Sequence, residues 1–148
     1  MESLMKYIGR TFRLAVAYRT YAFKPLGLGG EQHPYILHVC RTPGITQDEL
    51  ARRIVVNKSN VARQLSSLEE KGFITRSPSP EDKRQSLVYP TGKAIEVVPR
   101  IRAILDEWNQ ALVQDLTEDG QEQLIQVLKS VVERATGVVE ALPDDGTE

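Results

Sequence analysis

Apolar residues recur at helical spacing from the start of the chain. Leu4, Ile8, Phe12, Ala15 and Val16 form one strip, and Tyr7, Leu14, Tyr18 and Tyr21 form a second, which predicts a helix over residues 3–23 that packs on two sides. Lys24-Pro-Leu-Gly-Leu-Gly-Gly30 punctuates it. Pro34 then stands where the first turn of a second helix tolerates proline, ahead of Ile36, Leu37, Val39 and Cys40, and that helix ends near Thr42-Pro43-Gly44. Thr46 and Glu49 have the capping-box spacing and open a short helix with Leu50, Ala51 and Ile54 turned inward. It stops at the β-branched pair Val55-Val56. Asn57 is a good N-cap for the next helix, Lys58 to Lys71, with Val61, Leu65 and Leu68 on one face and Gly72 at the stop.

The period then changes. Phe73 to Arg76 and Ser86 to Tyr89 favour strands, and Ser77-Pro-Ser-Pro-Glu-Asp82 is a polar turn, so the pattern predicts a β-hairpin with a charged, proline-stiffened tip. Thr91 can cap a long helix whose stripe runs near Ile95, Val98, Ile101 or Arg102, Leu105, Trp108, Leu112 and Leu116, with Pro99 expected to kink it or to confine the lost hydrogen bond to one turn. Thr117 to Gly120 marks a break. Beyond it Leu124, Leu128, Val131, Ala135, Val138 and Leu142 form a heptad-like seam, closed by Pro143 and an acidic tail, 143–148. The terminal helices carry more apolar surface than the small core between them can cover, which predicts a partner chain.

Charge adds an asymmetry to this pattern. The 148 residues hold 19 Lys plus Arg against 20 Asp plus Glu, for a net charge of -1, yet residues 1–84 sum to +6 and residues 85–148 to -7. A basic segment joined to an acidic one suggests that the first half meets a polyanion, although an unevenly charged solvated surface has the same arithmetic. With 41% hydrophobic residues the chain can bury a core, and it has no apolar run near the length of a membrane span or signal peptide. The cytoplasm is the expected compartment. Enzyme chemistry finds no elements: there is no Ser/His/Asp, Cys/His or metal constellation, and one cysteine with two histidines, His33 and His38, cannot close the usual zinc site. The glycine-rich stretch lacks the Gly-Lys-Ser/Thr ending of a phosphate cradle. No cofactor is expected.

Helix, tight turn, helix and hairpin in that order is the informative constellation. At about 100° per residue, Ser59, Arg63 and Ser66 fall opposite Val61, Leu65 and Leu68, so the polar side can enter a duplex major groove. There Arg63 can pair with a guanine edge, Asn60 or Gln64 with adenine, and Ser59 with an edge or a phosphate, while Lys58 and the first-turn N–H groups suit a backbone phosphate. An ordinary solvated helix face would carry similar residues. The hairpin shifts the balance, because Lys83 and Arg84 stand beside Asp82, with Arg76 at the end of the first strand. A closed hairpin would bring the two guanidinium groups to that carboxylate, which would orient them toward a narrow groove.

Ile45-Thr-Gln-Asp-Glu-Leu-Ala51, Asn57-Lys-Ser-Asn-Val-Ala-Arg63, Leu68-Glu-Glu-Lys-Gly-Phe-Ile74-Thr-Arg76 and Glu81-Asp-Lys-Arg84 resemble the MarR family of winged-helix regulators. The chain departs from the family pattern at Tyr89-Pro90-Thr91-Gly92, where a Leu-Thr pair usually opens the following helix. The resemblance implies a mainly α fold of the α+β winged-helix type. Helices from 1–30 and 91–142 would interlock two copies into a homodimer, and 31–90 would form the winged helix-turn-helix. Each winged helix would read half of an inverted repeat, usually to repress. Asn57 to Gln64 would hold the major-groove readers, and Asp82 and Arg84 the residues of the wing.

Such regulators commonly respond to small aromatic or phenolic acids bound between the dimer helices and the winged helix. Here Arg13, Tyr18, Tyr35, His38, Arg102 and Trp108 could supply a cation and aromatic walls, although each also suits packing or solvent. Some members sense oxidants through a cysteine in the first helix. Cys40 stands in the second, beside Leu37 and Val39, which favours a buried inert thiol. A winged helix that has lost DNA binding and serves protein interaction is the competing class, and the basic residues at 63, 76, 83 and 84 speak against it.

Overall fold

The computed structural model describes residues 1–144; the end of the acidic tail, 145–148, lies outside the described residues. In order it contains α1 (Leu4–Ala22), a 3₁₀ turn (Lys24–Leu26), α2 (His33–Arg41), β1 (Ile45–Thr46), α3 (Gln47–Ile54), α4 (Lys58–Glu70), β2 (Ile74–Pro78), β3 (Ser86–Pro90), α5 (Gly92–Val113) and α6 (Glu118–Glu140). This is a mainly helical fold with one small antiparallel sheet, ordered β1-β3-β2. It divides into two compact units, Met1–Trp108 and Asn109–Glu148, with the cut falling inside α5.

Side-chain caps set most helix starts in the first unit. Thr46 Oγ1 accepts from the Glu49 N–H at 3.1 Å, and Asn57 Oδ1 accepts from the Asn60 N–H at 2.7 Å, each satisfying an orphan donor of a first turn. The capping box at Thr46 is formed only in this half, because the Glu49 carboxylate turns away to accept from Arg53 Nε at 2.9 Å. Between α3 and α4 the chain turns at Val55, which takes φ 61° and is 84% exposed. A β-branched residue in the left-handed region is unusual, and its N–H bonds to the Ala51 carbonyl to close α3.

One core lies between the helices and the sheet. Phe23 from the end of α1, Tyr35, Ile36 and Val39 from α2, Leu50 from α3, Val61, Leu65 and Leu68 from α4, Ile74 and Val88 from the strands, and Ala94 and Ile101 from α5 are all buried in it. Phe23, at the C-cap of α1, and Ala94 and Ile101, from the first part of α5, join the core of the helix-turn-helix. The hairpin register pairs Thr75 with Tyr89, Arg76 with Val88 and Ser77 with Leu87. The two-residue strand β1, which the sequence pattern did not suggest, pairs Ile45 with Val88 and Thr46 with Leu87 on the other edge of β3. Thr91 starts α5 as expected, accepting from the Ala94 N–H, and Pro99 lies within a continuous helix.

In the second unit Thr117 Oγ1 caps α6 by accepting from the Gly120 N–H at 3.2 Å. No residue of α6 is buried, and Leu124, Ile125, Leu128, Val132 and Val138 are exposed. On α1, Leu4, Met5, Phe12, Leu14 and Tyr21 are likewise exposed. Apolar rows of this length on single helices are what a partner chain covers.

Candidate nucleic-acid interface

The face of α4 opposite its buried side is polar and open. Val61, Leu65 and Leu68 are fully buried, while Lys58, Ser59, Arg63 and Ser66 are exposed. No carboxylate pairs with Arg63 among the described residues, and the Lys58 ammonium lies 3.9 Å from Asp48 Oδ1 with both side chains in solvent, a contact of little energy. Both groups are therefore available to an anion.

Asn60 and Gln64 lie on a flank of the helix and are half-buried. The Tyr35 hydroxyl donates to Asn60 Oδ1 at 2.9 Å, and Gln32 Nε2 donates to Gln64 Oε1 at 3.2 Å. Both amides are thus held by groups at the start of α2. Gln32 carried no signal in the sequence, because nothing in a linear pattern distinguishes a buried polar residue in a glycine-rich loop.

The hairpin is fastened to α4 through Arg76. Its Nη2 donates to Glu69 Oε1 at 3.2 Å and to Ser66 Oγ at 3.2 Å, and its Nη1 donates to Gln47 Oε1 at 3.3 Å. The expected grouping of Arg76 and Arg84 around Asp82 is not what the structure shows. Arg76 pairs in register with Val88, on the sheet face that packs against the helices, so its side chain runs toward α4 instead of the tip. Asp82 shapes the tip itself: its Oδ1 accepts the Arg84 backbone N–H at 3.0 Å, as short polar side chains do in turns. Ser79 Oγ accepts weakly from the N–H groups of Glu81 and Asp82. Lys83 and Arg84 are exposed and form no ion pair among the described residues, leaving two free cations at the tip.

The six residues considered for an effector do not converge. Tyr18 and Trp108 stack on each other with ring centroids 4.8 Å apart. His38 and Arg102 line a shallow cleft of about 370 Å³ with Arg41 and Asp106. Arg13 is exposed and folds over Gly9. Tyr35 faces a different cleft, of about 430 Å³, lined by Arg19, Glu31, His33, Asn60 and Gln64 among others. Arg19 is only 9% exposed, and burial lowers its pKa while Glu31 opposes the shift. His33 has a buried Nδ1 without a hydrogen-bond partner, and burial, then the Arg19 charge, lower its pKa to about 4. Arg19 was not singled out from sequence, and His33 was weighed there only as a metal ligand. The signal was present for Arg19, which continues the strip Phe12, Ala15, Val16 as a charge on an apolar face. Burial raises the pKa of the Cys40 thiol, which makes it a poorer nucleophile.

Among the described residues no group of three or more His, Cys, Asp or Glu could hold a metal, and no helix is long and apolar enough to cross a membrane.

Comparison with known proteins agrees with the geometry. A family model described as MarR family matches residues 26–85. The chain is 28% identical over 131 residues to the HTH-type transcriptional regulator YybA of Bacillus subtilis (strain 168), covering 88% of this chain and 87% of that protein. It superimposes on the crystal structure of the transcriptional regulator SlyA with a TM-score of 0.87 and 31% identity, covering 93% of this chain and 97% of the other. A MarR family regulator from Listeria monocytogenes, solved in complex with a 26mer DNA, shares the fold with a TM-score of 0.86 at 24% identity, covering 98% of this chain and 99% of the other. The chain belongs to the MarR family of winged-helix transcriptional regulators, whose members act by binding DNA and not by catalysis.

Proposed function

We propose that the protein works in the cytoplasm as a homodimeric repressor on an inverted-repeat operator, and that a small aromatic acid releases it. The observation that carries this reading is the open polar face of α4, with Ser59 and the unpaired Arg63 opposite three buried residues, set beside a hairpin tip whose Lys83 and Arg84 are free. On this reading Asn57 to Gln64 enter the major groove and the wing lies along the neighbouring minor groove. Asp82 acts there by shaping the tip, and Arg76 by holding the wing to α4. The DNA-bound relative supports the reading. The exposed apolar rows of α1 and α6 supply the surface for a second copy, which would set two reading helices about one helical turn apart.

For the effector, the cleft beside Asn60 and Gln64 is the better candidate of the two, because its ligand would touch the reading helix. Arg19 offers a cation for a carboxylate, and Tyr35 and Phe12 offer aromatic walls. Fluorescence anisotropy tests the whole reading, with the promoter-region duplex and a random duplex each at two salt concentrations, followed by benzoate titration. Tighter promoter binding by one dimer, weakened by salt and by benzoate, is the expected result. No binding to either duplex at low salt would replace this reading with a protein-interaction module.

A further inference from the structure

Gln32 immediately precedes α2 and is only 5% exposed. Both ends of its amide are engaged. Oε1 accepts from the Gly29 backbone N–H at 3.0 Å and from Lys71 Nζ at 2.8 Å, while Nε2 donates to Gln64 Oε1 at 3.2 Å and to Ser67 Oγ at 3.1 Å. A backbone N–H and an ammonium can only donate. They fix which end of the Gln32 amide is oxygen, so the nitrogen must face Gln64 and Ser67. Gln64 must then turn its own oxygen toward Gln32, which leaves its Nε2 hydrogens without a protein partner among the described residues.

The other end of this chain of bonds is equally constrained. A Cβ on Gly30 would fall 2.5 Å from Thr20 Oγ1 and 2.8 Å from the Val16 carbonyl oxygen, and the Gly30 carbonyl accepts from Arg19 Nε at 2.8 Å. The loop is therefore clamped to α1 on one side and to α4 on the other, and it cannot shift without breaking one of the two.

We propose that Gln32 is a positioning residue that sets the base preference of Gln64 by presenting its amide as a donor. The proposal rests on the reading of α4 as the groove helix. A free glutamine pairs with adenine by accepting from N6 and donating to N7. With its oxygen turned to Gln32, Gln64 keeps only the donating half, which matches the adjacent acceptors of guanine (N7, O6) and the thymine O4, whereas on adenine the N6 hydrogens beside N7 would face a second donor. The adenine pairing open to Gln64 from sequence is thereby disfavoured.

The test is selection from a duplex pool randomised across the half-site, run with the wild-type dimer, Gln32→Glu, Gln64→Ala and the double variant. Gln32→Glu keeps the acceptor shared by Gly29 and Lys71 but has no hydrogens for Gln64, so Gln64 flips to donate inward and exposes its oxygen. The expected result is guanine or thymine at one base pair per half-site for wild type and a shift of about tenfold toward adenine or cytosine for Gln32→Glu. The shift should vanish in the Gln64→Ala background. A merely structural role would lower the folded fraction without changing the preferred base. If Gln32→Glu does not fold, Gln32→Met should flatten the preference at that pair. The same selected base in wild type and Gln32→Glu, a wild-type preference for adenine there, or a selected site untouched by Gln64→Ala would each overturn the proposal. A wild-type protein that selects no sequence at all would instead overturn the reading of α4.

Discussion

Arg76 Nη2 lies 3.2 Å from Glu69 Oε1, so the wing is tied to the reading helix and not to its own tip. Both side chains are partly in solvent, at 23% and 42% exposure, which limits the pair to about 1 kcal/mol or less of stability. Its larger effect is geometric. Arg76→Ala should weaken operator binding by freeing the wing, while leaving the salt dependence unchanged because Glu69 already neutralises that charge. A salt titration of anisotropy checks this, and a slope reduced by a full unit would put Arg76 on a phosphate.

Arg84 is in the opposite situation, exposed and unpaired at the tip. Arg84→Ala should weaken binding to many sequences alike and reduce the slope of log affinity against log salt by about one unit. An unchanged slope would remove Arg84 from the interface.

Arg63 stands on the open face of α4, where a guanidinium can take a guanine edge. Arg63→Ala should cost about 1–3 kcal/mol on the operator and much less on random duplex, measured by competition binding. Equal losses on both would make it a backbone contact.

His33 gives the stability a predictable pH dependence. Burial and Arg19 lower its folded pKa to about 4, against 6.5 unfolded. Above pH 6.5 neither state binds the proton. As pH falls from 6.5 to 4 the unfolded chain takes it up and the folded one does not, so stability present above 6.5 is lost across that window and the loss levels off below 4. Urea denaturation of wild type and His33→Gln between pH 7 and 4 should show the steeper decline in wild type. Parallel curves would mean that His33 protonates as freely in the fold as out of it.

Val55 carries backbone strain with little packing to offset it. Val55→Asn should raise stability by about 1 kcal/mol, because asparagine tolerates the left-handed conformation and the valine side chain is almost wholly exposed. An increase in the urea midpoint checks it; a decrease would show that the valine methyls matter more than φ.

The elements that were legible in the sequence are those whose signals are local. Thr46, Asn57 and Thr91 cap helices from the residues that precede their first turns, and Gly72, with φ 80°, ends the reading helix where a left-handed residue is needed, whereas the break read at Thr117 to Gly120 falls earlier, between Val113 and Glu118, with Thr117 as the cap of α6. The strand β1 escaped because two residues cannot show a period, and its pairing with Val88 exists only after the hairpin has formed. Val55 was read as a stop, but nothing local indicates a positive φ at a β-branched residue. In the candidate site, the exposed face of α4 followed from helical spacing alone. The partners of Arg76, Asn60 and Gln64 did not, since Glu69, Tyr35 and Gln32 reach them from other elements, and the effector residues were chosen by chemistry without a means of knowing which would share a cleft.

The Thr91 hydroxyl lies 2.6 Å from the Gly72 carbonyl oxygen and 3.1 Å from that of Phe73, and it also accepts from the Ala94 N–H. The Thr91 backbone N–H adds a bond to the Phe73 carbonyl at 3.0 Å. The end of α4, the base of the wing and the first turn of α5 therefore meet on one side chain. None of the three can open alone without leaving a polar group unsatisfied, so their amides should exchange hydrogen as a single cooperative unit, slower than the wing tip beyond Ser79.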